Sequence, residues 1–402
     1  RLSYDVLPKA DKLIMPVQSS LLPKIEYRGI YLVKENVEKA KEEIAKNRPV
    51  ALQEILKYVP SNYIPPVKSK KSLKRGFNPG SPRQLGDLFF NHLDMTPIRG
   101  LSTAEDVLIE LKGQHLIIEA VLKYREWDHH LKSFIQPWEL LVDSKGFLHP
   151  HFRFKTLTGR LSSNEPNLQQ TPRDILLRSC IGAPPGYVLL AIDLSQIEMV
   201  LAADDSGDEA LIEIFNTNQD VHRITVNLIL NKPLDQITKI ERKKGKAINF
   251  GLIYGMGAEG LREYCKTKYE VDMSLNEAHS WRDTYFKKYR RLPEWHDRRR
   301  NEARKYGYVT SKIGRIRHLN NIHSVDEDVV AEAERQAVNS PIQSLASDIT
   351  LICCLVVNKE LSPPEGWLAG LIHDCGLFII KEDNIDKWRK KISDVFSDPP
   401  LH

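Results

Sequence analysis

Two apolar segments, far apart in the chain, each lead directly into an aspartate, and this arrangement restricts the fold more than any other feature. Residues 188–192 are almost entirely apolar and end at Asp193. Residues 367–380 have the pattern of a β-hairpin, two apolar strands joined at a turn that contains Asp374. The sequence therefore predicts a sheet on which the two aspartates lie side by side.

Paired carboxylates of this kind indicate a site for divalent metal, because like charges at short range are tolerated when a cation lies between them. Two such ions about 3.5–4 Å apart can stabilise the attacking and leaving oxygens of phosphoryl transfer. Asp193 on its own also has a simpler interpretation as a helix N-cap, since a helix carrying Glu198 is predicted to follow it.

Residues 242–255 (RKKGKAINFGLIYG) contain a second distinctive pattern. Cations and aromatic residues recur every four positions and would form one stripe on a helix: Arg242, Lys246, Phe250 and Tyr254. The cations suit a triphosphate and a ring suits a base or sugar, although an amphipathic helix with a solvated basic end gives the same pattern. Gly251 and Gly255 weaken a helix, which suggests that another group approaches the backbone closely there.

The composition is that of an ordinary soluble globular protein, with 41% hydrophobic and 28% charged residues, and 402 residues predict two or three subdomains. The longest apolar run, residues 351–357, is far shorter than a membrane span. Two basic clusters, at 68–75 and 282–305, suit phosphate backbones as well as solvated faces. The five cysteines show no zinc or disulfide pattern and fit a reducing compartment.

The order of elements predicts a mainly helical first part, over residues 13–145. Within it Ser81 begins a helix with Pro82 at its first position, and residues 101–131 form one long helical segment. Residues 149–173 start as an alternating strand and continue as a polar loop whose donors suit sugar or minor-groove contacts. Residues 208–308 are helical again, and Pro341 is expected to kink or break the helix that starts near residue 333.

Several segments, in the same order, resemble the polymerase region of family A (bacterial DNA polymerase I type) DNA polymerases. The similar segments are FNPGSPRQL, TGRLSS, DLSQIEM, DVHR, RKKGKAINFGLIYG and IHDC, and the resemblance extends from about residue 16 to the C-terminus. It implies an α+β right-hand fold with helical thumb and fingers and an antiparallel palm sheet. The implied boundaries are 1–15 for the tail of an upstream exonuclease-like domain, 16–146 for the thumb, 147–212 and 331–402 for the palm, and 213–330 for the fingers.

The resemblance also implies a role for individual residues. Asp193, Asp374 and the backbone carbonyl of Leu194 would bind two Mg²⁺ ions, for which Mn²⁺ can substitute, and Lys246 would be catalytic with the aspartates. The nucleotide would contact Arg242, Lys246, Phe250, Tyr254, His222, Gln196 and Glu198, the last excluding a ribose 2′-hydroxyl. Primer-template DNA would contact Arg160, Asn167, Gln169, Arg335, Asn339, Gln343, His373 and Lys132.

The implied protein is a monomeric DNA polymerase of replication and repair that adds dNTPs to a primer, without a membrane partner and without proofreading in this chain. We expect it in the cytoplasm or nucleoid of a bacterium or phage-infected cell, or in an organelle of a eukaryote. Three residues depart from the family pattern: Leu194 replaces a tyrosine, Val200 an arginine and Cys375 a glutamate. The chain also stops soon after Pro399, earlier than the usual final strand.

Two rival functions follow from the same residues. A single-subunit RNA polymerase of related fold is disfavoured by Glu198, whose carboxylate would crowd a 2′-hydroxyl. A catalytically weakened primer-template DNA-binding module is suggested by Cys375 and Val200, and it would hold DNA without turnover.

Overall fold

The computed structural model describes residues 9–66, 76–154, 156–372 and 374–399. The basic residues at 68–75 and His373 lie outside the described residues. The helices are α1 (Lys9–Pro16), α2 (Leu22–Arg28), α3 (Lys34–Leu56), α4 (Pro82–Asp87), α5 (Glu105–Glu110), α6 (Ile117–His129), α7 (Gln136–Leu141), α8 (Ile175–Arg178), α9 (Ile197–Ser206), α10 (Glu209–Asn216), α11 (Val221–Leu230), α12 (Lys239–Leu252), α13 (Ala258–Tyr269), α14 (Leu275–Lys288), α15 (Arg291–Tyr306), α16 (Glu327–Glu360) and α17 (Ile385–Ser397).

The strands are short except for three. They are β1 (Ile30–Leu32), β2 (Phe147–Leu148), β3 (His151–Arg153), β4 (Ser162–Asn164), β5 (Ile181–Gly182), β6 (Tyr187–Asp193), β7 (Tyr308–Thr310), β8 (Ile316–His318), β9 (Gly366–Ile372) and β10 (Cys375–Lys381). Short π-helical segments occupy Val17–Leu21, Leu88–His92 and His130–Ile135, and short 3₁₀-helices occupy Leu168–Gln170, Leu234–Gln236 and Glu382–Asn384.

The chain forms two compact units. Unit 1 contains Arg1–Arg28, Phe152–Ser163 and Gly186–His402, and unit 2 contains Gly29–His151 and Asn164–Pro185. Unit 2 has its own apolar core, to which α3, α4, α5 and α6 contribute. It also contains the small antiparallel sheet β2-β1-β5. The subdomain boundaries that the resemblance implies stay a prediction.

Unit 1 is built on the antiparallel sheet β6-β10-β9. Helices α16 and α17 pack against this sheet, and the side chains of β9 and β10 are buried along most of their length. Burial of both strands explains why their sequences are continuously apolar instead of alternating. The predicted strand at 188–192 and the predicted hairpin at 367–380 are both confirmed.

Helix α16 is the longest element and forms much of the core. By length and apolar composition alone it could cross a membrane, the one such helix in the described residues, and 78% of its apolar window is buried within the protein. It is unbroken through Pro341, where the sequence predicts a kink or a break. Dense packing around residues 337–358 compensates for the hydrogen bond that proline cannot donate.

Two further expectations about helices had different outcomes. Ser81 caps α4 as predicted, with its side chain accepting from the backbone of Gln84 at 3.4 Å and Pro82 at the first position. The single long helix over 101–131 is wrong, because the chain forms α5, a loop and α6. Gly113 in that loop has φ 96°, a conformation that no helix accommodates.

Candidate active site

The two aspartates lie next to each other at one end of the sheet, as predicted: Asp193 ends β6, and Asp374 lies in the turn just before β10. Strands β6 and β10 are antiparallel, and their register places Cys375 opposite Asp193, so that Asp374, one residue before Cys375, lies just beyond the paired residues. The backbone N–H of Leu194 donates to the carbonyl oxygen of Asp374 at 3.5 Å. Asp193 does not cap the helix after it, since α9 begins at Ile197 with Gln196 in the capping position.

A network of charged side chains surrounds Asp374. The guanidinium of Arg160 contacts Glu198 and lies 3.6 Å from Oδ2 of Asp374. The other carboxylate oxygen of Asp374, Oδ1, is buried and has no hydrogen-bond partner among the described residues. Glu198 also accepts a hydrogen bond from the hydroxyl of Tyr254. One arginine therefore faces two carboxylates and leaves part of the acidic charge uncompensated.

The pKa values of Asp374 and Tyr254 are shifted by this arrangement. Burial raises the pKa of Asp374, Arg160 opposes this shift, and the nearby Glu198 and Asp193 add to it. Burial, together with Glu198, raises the pKa of Tyr254 well above its ordinary value, so its hydroxyl stays a hydrogen-bond donor. A site in which negative charge is this unfavourable favours binding of a cation.

Most of the predicted stripe of cations and aromatic residues at 242–254 lies on α12, whose ends are well defined. Thr238 and Glu241 form a reciprocal capping box at its start. At its end, Gly255 N donates to Leu252 O at 2.9 Å and Met256 N donates to Gly251 O at 3.2 Å, which is a Schellman arrangement. Tyr254 thus lies in the terminating turn, so the prediction that all four stripe residues are helical is wrong for this one.

Gly251 of α12 has the reason that the sequence suggested, a close approach to its backbone, whereas Gly255, beyond the end of the helix, is explained by its backbone conformation. A Cβ on Gly251 would lie 2.6 Å from the side chain of Leu261, so α13 packs directly on the backbone there. Gly255 has φ 75°, which ends the helix in the left-handed conformation.

The two cations of the stripe lie one turn apart on α12. Nε of Arg242 donates to Asp220 at 2.5 Å, and Asp220 in turn caps α11. Burial raises the pKa of Asp220, but hydrogen bonds from Arg242 and from the backbone outweigh this and hold the pKa below its usual range. Nζ of Lys246 lies 5.8 Å from the ring centre of Phe250.

Comparison with known proteins decides the family. A family model described as DNA polymerase family A matches residues 67–400, most of the chain. The chain belongs to DNA polymerase family A. It is 33% identical over 79% of its length to a thermostable DNA polymerase I of Thermus filiformis and 30% identical over 97% of its length to the DNA polymerase of Escherichia phage T5. It spans 39% and 50% of those relatives.

A solved structure extends the same conclusion to the fold. The POL domain of Pol1 from M. smegmatis, in complex with DNA primer-template and dNTP, matches 95% of this chain and 66% of that chain with a TM-score of 0.84 and 29% identity. The predicted α+β right-hand polymerase fold class is confirmed. Which residues of this family A chain bind DNA, nucleotide and metal stays a prediction.

Two of the three departures from the family pattern adjoin the aspartates: Leu194 directly follows Asp193, and Cys375 directly follows Asp374. Cys375 is half-buried, in register with Asp193. Val200 is half-buried on α9. Leu194 keeps its backbone carbonyl near the site, where it accepts a hydrogen bond from Ile197 N at 3.3 Å. The buried Oε1 of Gln196 has no partner among the described residues, and its backbone has φ 59°.

The predicted DNA-binding residues are divided between the two units. Arg335, Asn339 and Gln343 lie on successive turns of α16 in unit 1, and Arg335 pairs with Glu332 at 2.7 Å. Lys132, Asn167 and Gln169 belong to unit 2. There Lys132 pairs with Asp128 at 2.7 Å, and Asn167 accepts a hydrogen bond from the backbone of Gln169 at 3.1 Å.

The second basic cluster, at 282–305, is used partly inside unit 1. Arg299 is nearly buried and pairs with Asp205 of α9 at 2.6 Å, where Trp295 also donates. Arg304 pairs with Glu334 of α16. These basic residues anchor α15 to its neighbours, so the cluster is not simply a surface for phosphates.

Sequence reasoning missed Asn249, a fully buried amide on α12, and the buried pair of Arg315 and Asp348. The available signal for Asn249 was a polar residue on the apolar side of an amphipathic helix, four positions after Gly245. Asp220 could have been recognised as a partner of Arg242 only from the fold, since they are on different helices.

Two of the buried histidines predict acid sensitivity of the fold. Burial lowers the pKa of His222 and of His296 to about 4. Between pH ~6.5 and 4 the unfolded chain binds a proton at each site that the folded chain does not bind, so stability is complete above pH ~6.5 and falls below it. Each histidine accounts for a loss of about 3 kcal/mol at most in the free energy of unfolding as the pH falls from ~6.5 to 4. The raised pKa values of Asp348 and Asp374 act oppositely, because these carboxyls bind protons more tightly in the folded chain than in the unfolded chain.

The measurement is urea unfolding at pH 7.5, 6.5 and 5.5. The free energy of unfolding should decrease with falling pH, and the double variant His222→Gln/His296→Gln should show a flatter dependence. His323→Gln, at an exposed position, serves as control and should keep the parental slope. A parental stability that is constant from pH 7.5 to 5.5 would contradict the prediction.

Proposed function

We propose that this chain is a template-directed DNA polymerase that transfers a nucleotide from a dNTP to the 3′-hydroxyl of a primer, releasing pyrophosphate. One observation carries the proposal: in a family A chain, Asp193 ends β6 and Asp374 immediately precedes β10, its antiparallel neighbour. The relatives named DNA polymerase, and the matching POL domain solved with primer-template and dNTP, support the same reaction and partners.

The carboxylates fit Mg²⁺. They offer hard oxygen donors, and Oδ1 of Asp374 is buried without a partner among the described residues. The raised pKa of Asp374 means that its negative charge is unfavourable in this surrounding, which a bound cation would relieve. Asp193 and Asp374 would hold two ions, Mg²⁺ or Mn²⁺, with the carbonyl of Leu194 as a further oxygen. Such ions lower the pKa of an attacking hydroxyl and neutralise a triphosphate.

The triphosphate would be held by the basic side of α11 and α12. Arg242 and Lys246 supply charged donors, and the Asp220 contact uses only one of the five N–H groups of Arg242. His222 lies at the start of α11 with its ring 6.1 Å from that of Phe250, which is suited to stack against the nucleotide. Lys246 is the residue of this group to which we assign a catalytic role.

Glu198 would select deoxyribonucleotides. Its carboxylate is held by Arg160 on one side and Tyr254 on the other, so its position is fixed before nucleotide arrives. A fixed carboxylate excludes a ribose 2′-hydroxyl by crowding it, and this favours a DNA polymerase over an RNA polymerase.

The test is extension of a 5′-labelled primer on a DNA template at low salt by residues 1–402, with dNTPs or rNTPs and with Mg²⁺ or EDTA. We expect stepwise extension with dNTPs and Mg²⁺, about 100-fold or more slower extension with rNTPs, and none in EDTA. Bound DNA without extension in any arm would instead support the binding module. Equal use of rNTPs would support an RNA polymerase.

The remaining expectations belong to the same proposal. We expect a monomer whose DNA affinity falls steeply with salt, because phosphate contacts release counterions. A 3′-labelled primer should stay intact without nucleotides, since we assign no proofreading activity to these residues. The cellular site would be the cytoplasm or nucleoid in bacteria and phage, or an organelle in a eukaryote.

A further inference from the structure

Asn249 is a fully buried polar side chain on α12 with no role in the proposed reaction so far. It lies beside Phe250 in the sequence but faces α11 instead of the predicted nucleotide site. Its amide contacts three groups, Gly245 on its own helix and Thr225 and His222 on α11. A buried amide with this many partners fixes the geometry of whatever it contacts.

The orientation of the amide is determined by the backbone. Nδ2 of Asn249 lies 2.8 Å from the carbonyl oxygen of Gly245, which can only accept a hydrogen bond. The nitrogen must therefore be on this side, and Oδ1 lies 3.1 Å from the hydroxyl of Thr225. The second hydrogen of Nδ2 is shared between Oγ1 of Thr225 at 2.9 Å and Nδ1 of His222 at 3.2 Å.

The amide in turn determines the state of the His222 ring. An amide nitrogen presents only hydrogens, so the facing Nδ1 must be the unprotonated acceptor, and a neutral ring then carries its hydrogen on Nε2. The ring is neutral because burial lowers its pKa to about 4; Asp220 opposes this, whereas Arg242 and Lys246 add to it.

The two helices are too close for this contact to shift easily. A Cβ on Gly245 would lie 2.2 Å from the carbonyl oxygen of His222 and 2.8 Å from the side chain of Val226. Glycine at this position lets the α11 and α12 backbones touch, and the amide of Asn249 bridges them one turn further along. The ring is therefore held in place by α12, through Asn249 and Phe250.

We propose that Asn249 is a positioning residue that keeps His222 in the Nε2–H form, so that the ring meets the triphosphate as a neutral hydrogen-bond donor and not as a cation or an acceptor. The inference rests on the proposed function, because the anion it concerns is the triphosphate of the incoming nucleotide. The other tautomer would turn a lone pair toward phosphate oxygens and weaken binding.

The first measurement needs no activity. Nitrogen-15 NMR of the histidine side chains at pH 7.5, with His222→Gln to assign the signal, should show protonated Nε2 and unprotonated Nδ1 in the free protein. The opposite tautomer or a doubly protonated ring overturns the proposal, whether or not the protein extends primers. Asn249→Leu should show a fraction of the Nδ1–H tautomer, which the parent lacks, if it folds as the parent does.

The second measurement is a double-mutant cycle on primer extension. Asn249→Leu and His222→Gln should each raise KM for dNTP about tenfold, the loss of one hydrogen bond to a charged group, with a smaller change in kcat. The double variant should be no worse than His222→Gln, because both remove the same contact. Asn227→Leu, which removes an amide–carbonyl bond elsewhere on α11, should leave KM unchanged.

The outcomes separate the two proposals. Additive effects of Asn249→Leu and His222→Gln would mean that Asn249 acts only on packing, and the positioning role fails. A parent that extends no primer overturns the proposed function, and the NMR result alone then decides whether Asn249 sets the tautomer.

Discussion

Asp374→Asn is expected to lower the rate of primer extension by about 10³-fold or more, which corresponds to about 4 kcal/mol of transition-state stabilisation. The substitution keeps the shape of the side chain but removes a negative charge and one oxygen donor from the site. Oδ1 of Asp374 has no partner among the described residues, so the loss concerns a group held ready for a cation. DNA binding should stay equal or become tighter, because a charge that repels phosphates has been removed.

Extension should fall while DNA binding does not, and this difference makes the experiment specific. Extension is followed on a labelled primer and binding by fluorescence anisotropy of the same duplex without nucleotide. Asp383→Asn is a matched control, since it removes an aspartate from an exposed position just beyond β10. An Asp374→Asn protein that keeps a tenth or more of parental activity would exclude this carboxylate as an essential ligand.

The sheet and its aspartates could be predicted because the signal is local. A continuous apolar segment marks a buried strand, a hairpin fixes its own register, and an aspartate that ends or directly precedes such a strand has little freedom to lie elsewhere. The start of α4 was predictable for the same reason, since Ser81 and Pro82 act within one turn of each other. The family followed from several such local segments in order.

What the sequence did not predict depends on contacts between distant segments. The resemblance implies that Arg160 contacts DNA. In the free chain Arg160 contacts Glu198 and lies near Asp374, and the periodicity of the sequence does not reveal either neighbour. Pro341 disfavours a helix locally, but the packing of α16 outweighs that preference. Asn249 has partners on another helix, and a single polar residue within an amphipathic pattern does not say which partner it has.

Arg315→Met should lower the free energy of unfolding by about 3–5 kcal/mol, the cost of leaving a buried carboxylate without its cation. Arg315 precedes β8 and makes a bidentate contact with Asp348 of α16, with Nε 3.0 Å from Oδ2. The carboxylate is completely buried. Burial already raises its pKa and Arg315 counteracts the rise, so the variant should lose less stability at low pH, where the carboxyl is protonated.

The same arginine also shapes the turn that precedes Arg160. A Cβ on Gly159 would lie 2.8 Å from the guanidinium of Arg315, so the two segments are in direct contact. Arg315→Met should therefore reduce primer extension as well as stability, whereas Arg315→Met/Asp348→Leu should regain most of the stability, because no unpaired charge remains. Urea unfolding at pH 7.5 measures the change in stability. The control is Lys312→Met, at an exposed ion pair, whose free energy of unfolding should lie within about 0.5 kcal/mol of the parent. A loss below 1 kcal/mol for Arg315→Met would show that solvent, not this arginine, compensates Asp348, and the turn at Gly159 would then need another support.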